Sequence, residues 1–153
     1  MGIFDTLFES SPSTITYAPH NEQAAWVSIM YACIAADGEI SDTETDKLCE
    51  VLVMKTLFHN QDIADYYHNS MLAHKQIGSK TLIDSSVSII QESNKPTLFT
   101  LIMELLLADG IIGKKEKEIA EYLTDALHLD TDTAKRIVEV MLIRNAGNFV
   151  IVN

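Results

Sequence analysis

Basic residues are scarce. The 153-residue chain carries 11 Lys and Arg against 22 Asp and Glu, a net charge of −11. Phosphate backbones are bound by a clustered Lys/Arg face, and the chain has none, which argues against nucleic acid as a partner. The same deficit disfavours an anionic membrane surface. Cysteine is also rare. Cys33 and Cys49 are the only two, both among apolar helical positions, and they read as buried free thiols rather than a disulfide. A reducing cytoplasm is therefore the expected compartment. No cationic segment followed by an apolar one opens the chain, so a secretory leader is not expected. The most apolar stretch, 98–112, is broken by Glu104 and Asp109 and is too short to cross a bilayer.

Signatures of catalysis are missing too. There is no Gly-rich phosphate loop, no nucleophile elbow, and no nucleophile set beside a base. His59, His68 and His74 lack the i, i+4 spacing of a helical zinc pair and read as ordinary polar residues. An enzyme is not expected. It would require a cleft holding Tyr66, His68 or His74 with a perturbed pKa.

What the chain does have is a turn written twice. Residues 35–44 read Ala-Ala-Asp-Gly-Glu-Ile-Ser-Asp-Thr-Glu, and residues 107–116 read Leu-Ala-Asp-Gly-Ile-Ile-Gly-Lys-Lys-Glu. A constant offset of 72 pairs Asp37 with Asp109, Gly38 with Gly110, Ile40 with Ile112 and Glu44 with Glu116. Trp26 and Leu98, Met30 and Ile102, Cys33 and Leu105, and Val51 and Leu123 keep the same offset. Such self-similarity predicts a two-fold repeat of helix, Asp-Gly turn, helix.

Periodicity predicts seven helices and no strand: 21–37, 42–55, 61–77, 80–93, 96–109, 114–127 and 131–145. The first and fifth are apolar on nearly every side, as central helices are. Trp26, Ile29, Met30 and Cys33 mark the first of them. Gly38 suits the left-handed residue after a helix, and Pro96 suits a first turn. Gly78 is expected to close the third helix. In the sixth, Lys114 with Glu118 and Lys117 with Glu121 have i, i+4 spacing. In the seventh, Ile137, Val140 and Met141 are expected to be buried.

The predicted organisation is all-α and a single domain with an internal pseudo-two-fold. Residues 1–19 form an N-terminal arm and linker, 20–147 the helical domain, and 148–153 a short apolar tail. The arm carries Ile3, Phe4, Leu7 and Phe8 at helical spacing. With no basic residue nearby, it is expected to dock on the protein's own surface or to serve a homodimer. Met1-Gly2-x-x-x-Thr6 has the form of a myristoylation start, which has meaning only in a eukaryotic setting.

Asp37 and Asp109 fall in the last turns of their helices, where the macrodipole is negative. A carboxylate there is unfavourable by roughly 0.3–1 kcal/mol unless something compensates. Glu44 and Glu116 each extend the apolar stripe of the helix that follows, so they lean toward the packed side. Two readings stand. Ser41-x-x-Glu44 is a capping box, and Gly113-x-x-Glu116 is a weaker version with Gly as the cap. Alternatively, Asp37, Glu44, Asp109 and Glu116 meet and hold a hard divalent cation. Calcium, magnesium or manganese would be favoured over zinc, because no Cys or His belongs to the motif. An EF-hand is excluded. With Gly38 as its sixth position, Cys33 and Ala35 would stand where the first ligands belong.

At these residues the sequence resembles the TerB-like family of tellurite-resistance proteins. The likeness rests on Ala-Asp-Gly-Glu-Ile-Ser-x-x-Glu at 36–44, its counterpart at 108–116, and the flanking apolar helices, and it covers about 22–145. The resemblance implies a seven-helix pseudo-symmetric domain in the bacterial cytoplasm. It also implies a link to tellurite and general stress resistance, metal binding by the motif acids, and protein partners among other stress-response components. In this sequence the acids fall at Asp37, Glu44, Asp109 and Glu116. One departure stands out: Gly113-Lys114-Lys115 replaces Ser41-Asp42-Thr43 in the second copy.

Overall fold

Capping chemistry fixes where the helices begin. In the computed structural model, which describes residues 17–38, 40–108 and 110–148 with backbone alone at Asp37, six α-helices account for the fold. They are α1 (Glu22–Ile34), α2 (Asp42–Val53), α3 (Ile63–Ser86), α4 (Lys95–Leu106), α5 (Lys114–Ala126) and α6 (Thr131–Asn145). Among the described residues there is no strand, so the chain is all-α. Asn21, Ser41, Asp62 and Asp130 accept backbone N–H groups at the starts of α1, α2, α3 and α6. These are the free donors that every helix N-terminus exposes. Pro96 occupies the first turn of α4, where its missing N–H costs nothing.

The expected third and fourth helices both form and follow each other directly, so they share the label α3. Gly78 does interrupt them, with φ 79° and ψ 175°, but the chain resumes as a helix without an intervening loop. A glycine at positive φ ends one helix or kinks a continuous one by the same local conformation. The fourth expected helix stops at Ser86, and 87–89 and 92–94 form short 3-10 turns.

The core gathers around α1, where every residue from Ala24 to Ile34 is buried. A helix apolar all round has no wet face to keep. It packs most extensively on α3 and less on α4, its counterpart at the 72-residue offset. Ser28 and Ser70 mark the α1–α3 contact, their hydroxyls 3.1 Å apart, and the Tyr17 hydroxyl lies 2.8 Å from Ser28 Oγ. That chain satisfies two fully buried polar side chains. In the first half of α3 Ile63, Tyr67, Met71 and His74 are half-buried, while Ser70 and Ala73 are buried. The small pair lets α1 approach closely.

Two surface expectations fail. Neither Lys114–Glu118 nor Lys117–Glu121 is an ion pair. The pairs within 4 Å among the described residues are Lys95–Glu92 and Arg144–Glu104. All four side chains of α5 lie in water, where holding two long chains together costs about what the attraction returns. Val140 is 55 % exposed, because α6 turns Ala134 and Asn145 inward and Val140 and Ile143 outward. Cys33 is buried and Cys49 half-buried, both as free thiols. No helix of the described residues is long and apolar enough to cross a membrane. Residues 1–16 of the N-terminal arm and linker, and the tail beyond Asn148, lie outside the described residues.

Candidate functional site

The first turn is built by a tightening helix. After Ile34 the backbone forms a 3-10 turn over Ala35–Asp37, and the Gly38 N–H donates to the Ala35 carbonyl at 3.0 Å. Gly38 has φ 125°, a conformation that glycine adopts without steric cost. The chain then reverses into α2 through a complete capping box. Ser41 Oγ accepts from the Glu44 N–H at 3.2 Å, and Glu44 Oε1 accepts from the Ser41 N–H at 3.1 Å. Thr45 Oγ1 donates to the Ser41 carbonyl and lies 2.8 Å from the Tyr67 hydroxyl, which fixes α2 to α3.

The second turn has the same outline and different support. α4 ends at Leu106, and the Gly110 N–H, at φ 80°, donates to the Leu107 carbonyl at 2.9 Å. Gly113 caps α5 with no side chain of its own. The Glu116 carboxylate folds back over it, so close that a Cβ at position 113 would lie 2.5 Å from Glu116 Oε2. Glycine is what lets that carboxylate lie there. Behind this turn stands the end of α6. The Asn145 carbonyl would lie 2.5 Å from a Cβ at Gly110, and Asn148 Nδ2 donates to the Ala108 carbonyl at 2.9 Å. Among the described residues nothing comparable approaches Gly38.

Glu44 and Glu116 line a single cleft. It is lined by Cys33 and Leu105, by Ile34 and Leu106, and by the two glutamates, three pairs each separated by 72 residues. Lys115 stands at its edge, where the first copy has Thr43. The volume is about 50 Å³. That admits a few waters or a small ion, whereas organic ligands fill several hundred Å³. Burial holds the Cys33 thiol well above its usual range, so it stays protonated and offers no thiolate to a soft metal. The polar lining is therefore two carboxylates and one ammonium.

Of the four acids singled out in the sequence, the structure brings together Glu44 and Glu116. The Asp37 side chain and all of Asp109 lie outside the described residues. Among the described residues no group of three or more His, Cys, Asp or Glu side chains converges on one point. The support from Asn145 and Asn148 is not legible in the sequence, where these residues read only as the end of a helix and the start of a tail. Asn145 and Asn148, three apart and flanking Gly147, are the available signal.

The histidine and tyrosine candidates separate. His74 Nε2 lies 2.9 Å from Ser79 Oγ across the Gly78 kink, and its ring meets Tyr31 edge-on at 5.4 Å. Partial burial pushes the imidazole below its usual range. Tyr66 lines a different cleft of about 290 Å³ with His20, in which neither His68 nor His74 takes part. Its hydroxyl accepts from Asn21 Nδ2 at 3.0 Å and donates to Gln61 Oε1 at 2.6 Å. Comparison with protein-family models, with curated proteins and with solved structures finds no significant match.

Proposed function

We propose that this chain is a non-enzymatic stress-response protein of the TerB-like, tellurite-resistance kind, working in the cytoplasm, whose paired acidic turns hold one divalent cation. The observation that carries the reading is the shared cleft: Glu44 and Glu116 line the same small space between equivalent apolar residues. Like-charged carboxylates facing one space repel, and a hard cation with oxygen ligands relieves the repulsion. The donor set fits such an ion, since the two side chains offer oxygen alone and the nearby thiol stays protonated. Asp37 and Asp109, each beside its turn in the sequence, would complete the ligand set under an internal pseudo-two-fold. Helix limits support that symmetry: α1 and α4 end at residues 34 and 106, and α2 and α5 begin at 42 and 114. Lys115 at the edge lowers the negative charge on one side and favours a single shared ion over two equivalent ones.

The capping box favours a second reading, a helical protein-interaction module in which the acids only finish helices. Glu44 already holds the Ser41 N–H, and Glu116 already covers Gly113. Thermal unfolding of chelator-treated protein, titrated with calcium, magnesium, manganese and zinc, separates the two. A ligand at about a hundred times its dissociation constant adds about 2.7 kcal/mol to stability. The first reading expects that rise in wild type and its loss in Asp37→Asn/Asp109→Asn. The second expects no cation to shift either protein.

A further inference from the structure

The last two helices are joined by the short turn 127–130, yet they do not pack closely along each other; both lean on α4. Between them lies a groove of about 810 Å³ with buried Phe99 on its floor and Ala120, Ala134 and Val138 along its sides. Its two edges are exposed and charged. Counting away from the turn, α5 presents Asp125, Glu121 and Lys117, and α6 presents Thr131, Lys135 and Glu139. No ion pair within 4 Å among the described residues spans the groove.

We propose that this groove is the interface of a homodimer, formed with the α5–α6 hairpin of a second copy about a two-fold axis running along the groove. The order of charges selects both the occupant and the axis. Rotation about an axis along the groove lays each α5 edge over the partner's α6 edge in the same order. Lys117 then meets Glu139 of the partner subunit, and Glu121 meets Lys135 of the partner subunit, each contact occurring twice. An axis across the groove would instead set Glu121 on its own copy and Lys135 on its own copy, a like-charge clash. A two-fold interface must be self-complementary, and this edge pattern is. Four helices then surround one apolar centre, as in a bundle of two helical hairpins. The small side chains of Ala120 and Ala134 let the facing helices approach.

Sedimentation equilibrium of the full chain, repeated at low and high salt, tests the arrangement. The wild type is expected to be a dimer at about 100 μM, weakening as salt screens the edge contacts. Glu121→Lys and Lys135→Glu should each raise the dimer dissociation constant at least about tenfold, the factor that 1.4 kcal/mol produces. The double variant E121K/K135E swaps the charges and should restore the dimer. Both positions are exposed, so the variants keep their fold, and circular dichroism of each checks this. A monomeric wild type, a dimer indifferent to either single reversal, or a double variant that stays dissociated would each overturn the proposal.

Discussion

Gly110 and Gly38 show how much a single position can carry. Both stand at positive φ, but only Gly110 also has a backbone carbonyl where its Cβ would be. Gly38→Ala should cost about 1 kcal/mol from backbone strain alone. Gly110→Ala should cost at least about 2–3 kcal/mol, because the end of α6 must also move. Urea unfolding of the two variants measures the difference, and equal losses would mean the α6 support is not felt. His74 supplies a pH dependence. Burial holds its imidazole below the usual range, so the folded chain favours the neutral form. The unfolded chain takes up that proton near pH 6.5. The contribution from His74 is thus intact above that pH and is lost as the pH falls from there toward the lower folded value. Between roughly pH 7.5 and 5.5 the melting temperature of wild type should fall more than that of His74→Gln, and parallel curves would refute this. At this scale the sequence is legible where chemistry is local: Ser41 with Glu44, and Gly38. Glu116 folding over Gly113 is visible only as a weak cap, since nothing in a glycine announces what will lie on it.

Helices are where sequence and structure agree most and where their limits show. Starts are readable from Ser41, Pro96 and Asp130, because a cap answers to its own neighbours. Ser41→Ala should lower stability by about 1 kcal/mol, with or without added cations, by chemical denaturation. A loss that appears only when a cation is present would tie the serine to the cleft instead. The run from Ile63 to Ser86 reads as two helices, and Gly78, at φ 79° and ψ 175°, does break it into two. That the second half follows without a loop depends on tertiary packing, information that lies far away in the chain. The outward face of α6 has a similar origin. Ile137, Val140 and Met141 share an apolar pattern, but Val140 lies on the face that α6 turns outward, at 55 % exposure. Phe99, at 1 % exposure between α4 and the last hairpin, is a fair probe of how much α4 holds. Phe99→Ala should cost about 3–5 kcal/mol in urea unfolding, and a loss below about 1 kcal/mol would mean the floor of that groove relaxes freely.

Across the whole molecule, the cation reading of the doubled motif requires two distant turns to share one space, and Glu44 and Glu116 line one cleft. Their unequal support does not show in the sequence, because Asn145 and Asn148 lie outside the doubled motif. The proposed cation site is a single one shared by the two turns. The cleft volume of about 50 Å³ agrees with one ion rather than an organic ligand. The most direct measurement is the stoichiometry of cation binding, by titration calorimetry on chelator-treated wild type and on Asp37→Asn and Asp109→Asn separately. A shared site predicts one cation per chain and a loss of affinity in either single variant. Two cations per chain, each lost with its own aspartate, or no binding of calcium, magnesium or manganese at all, would contradict it.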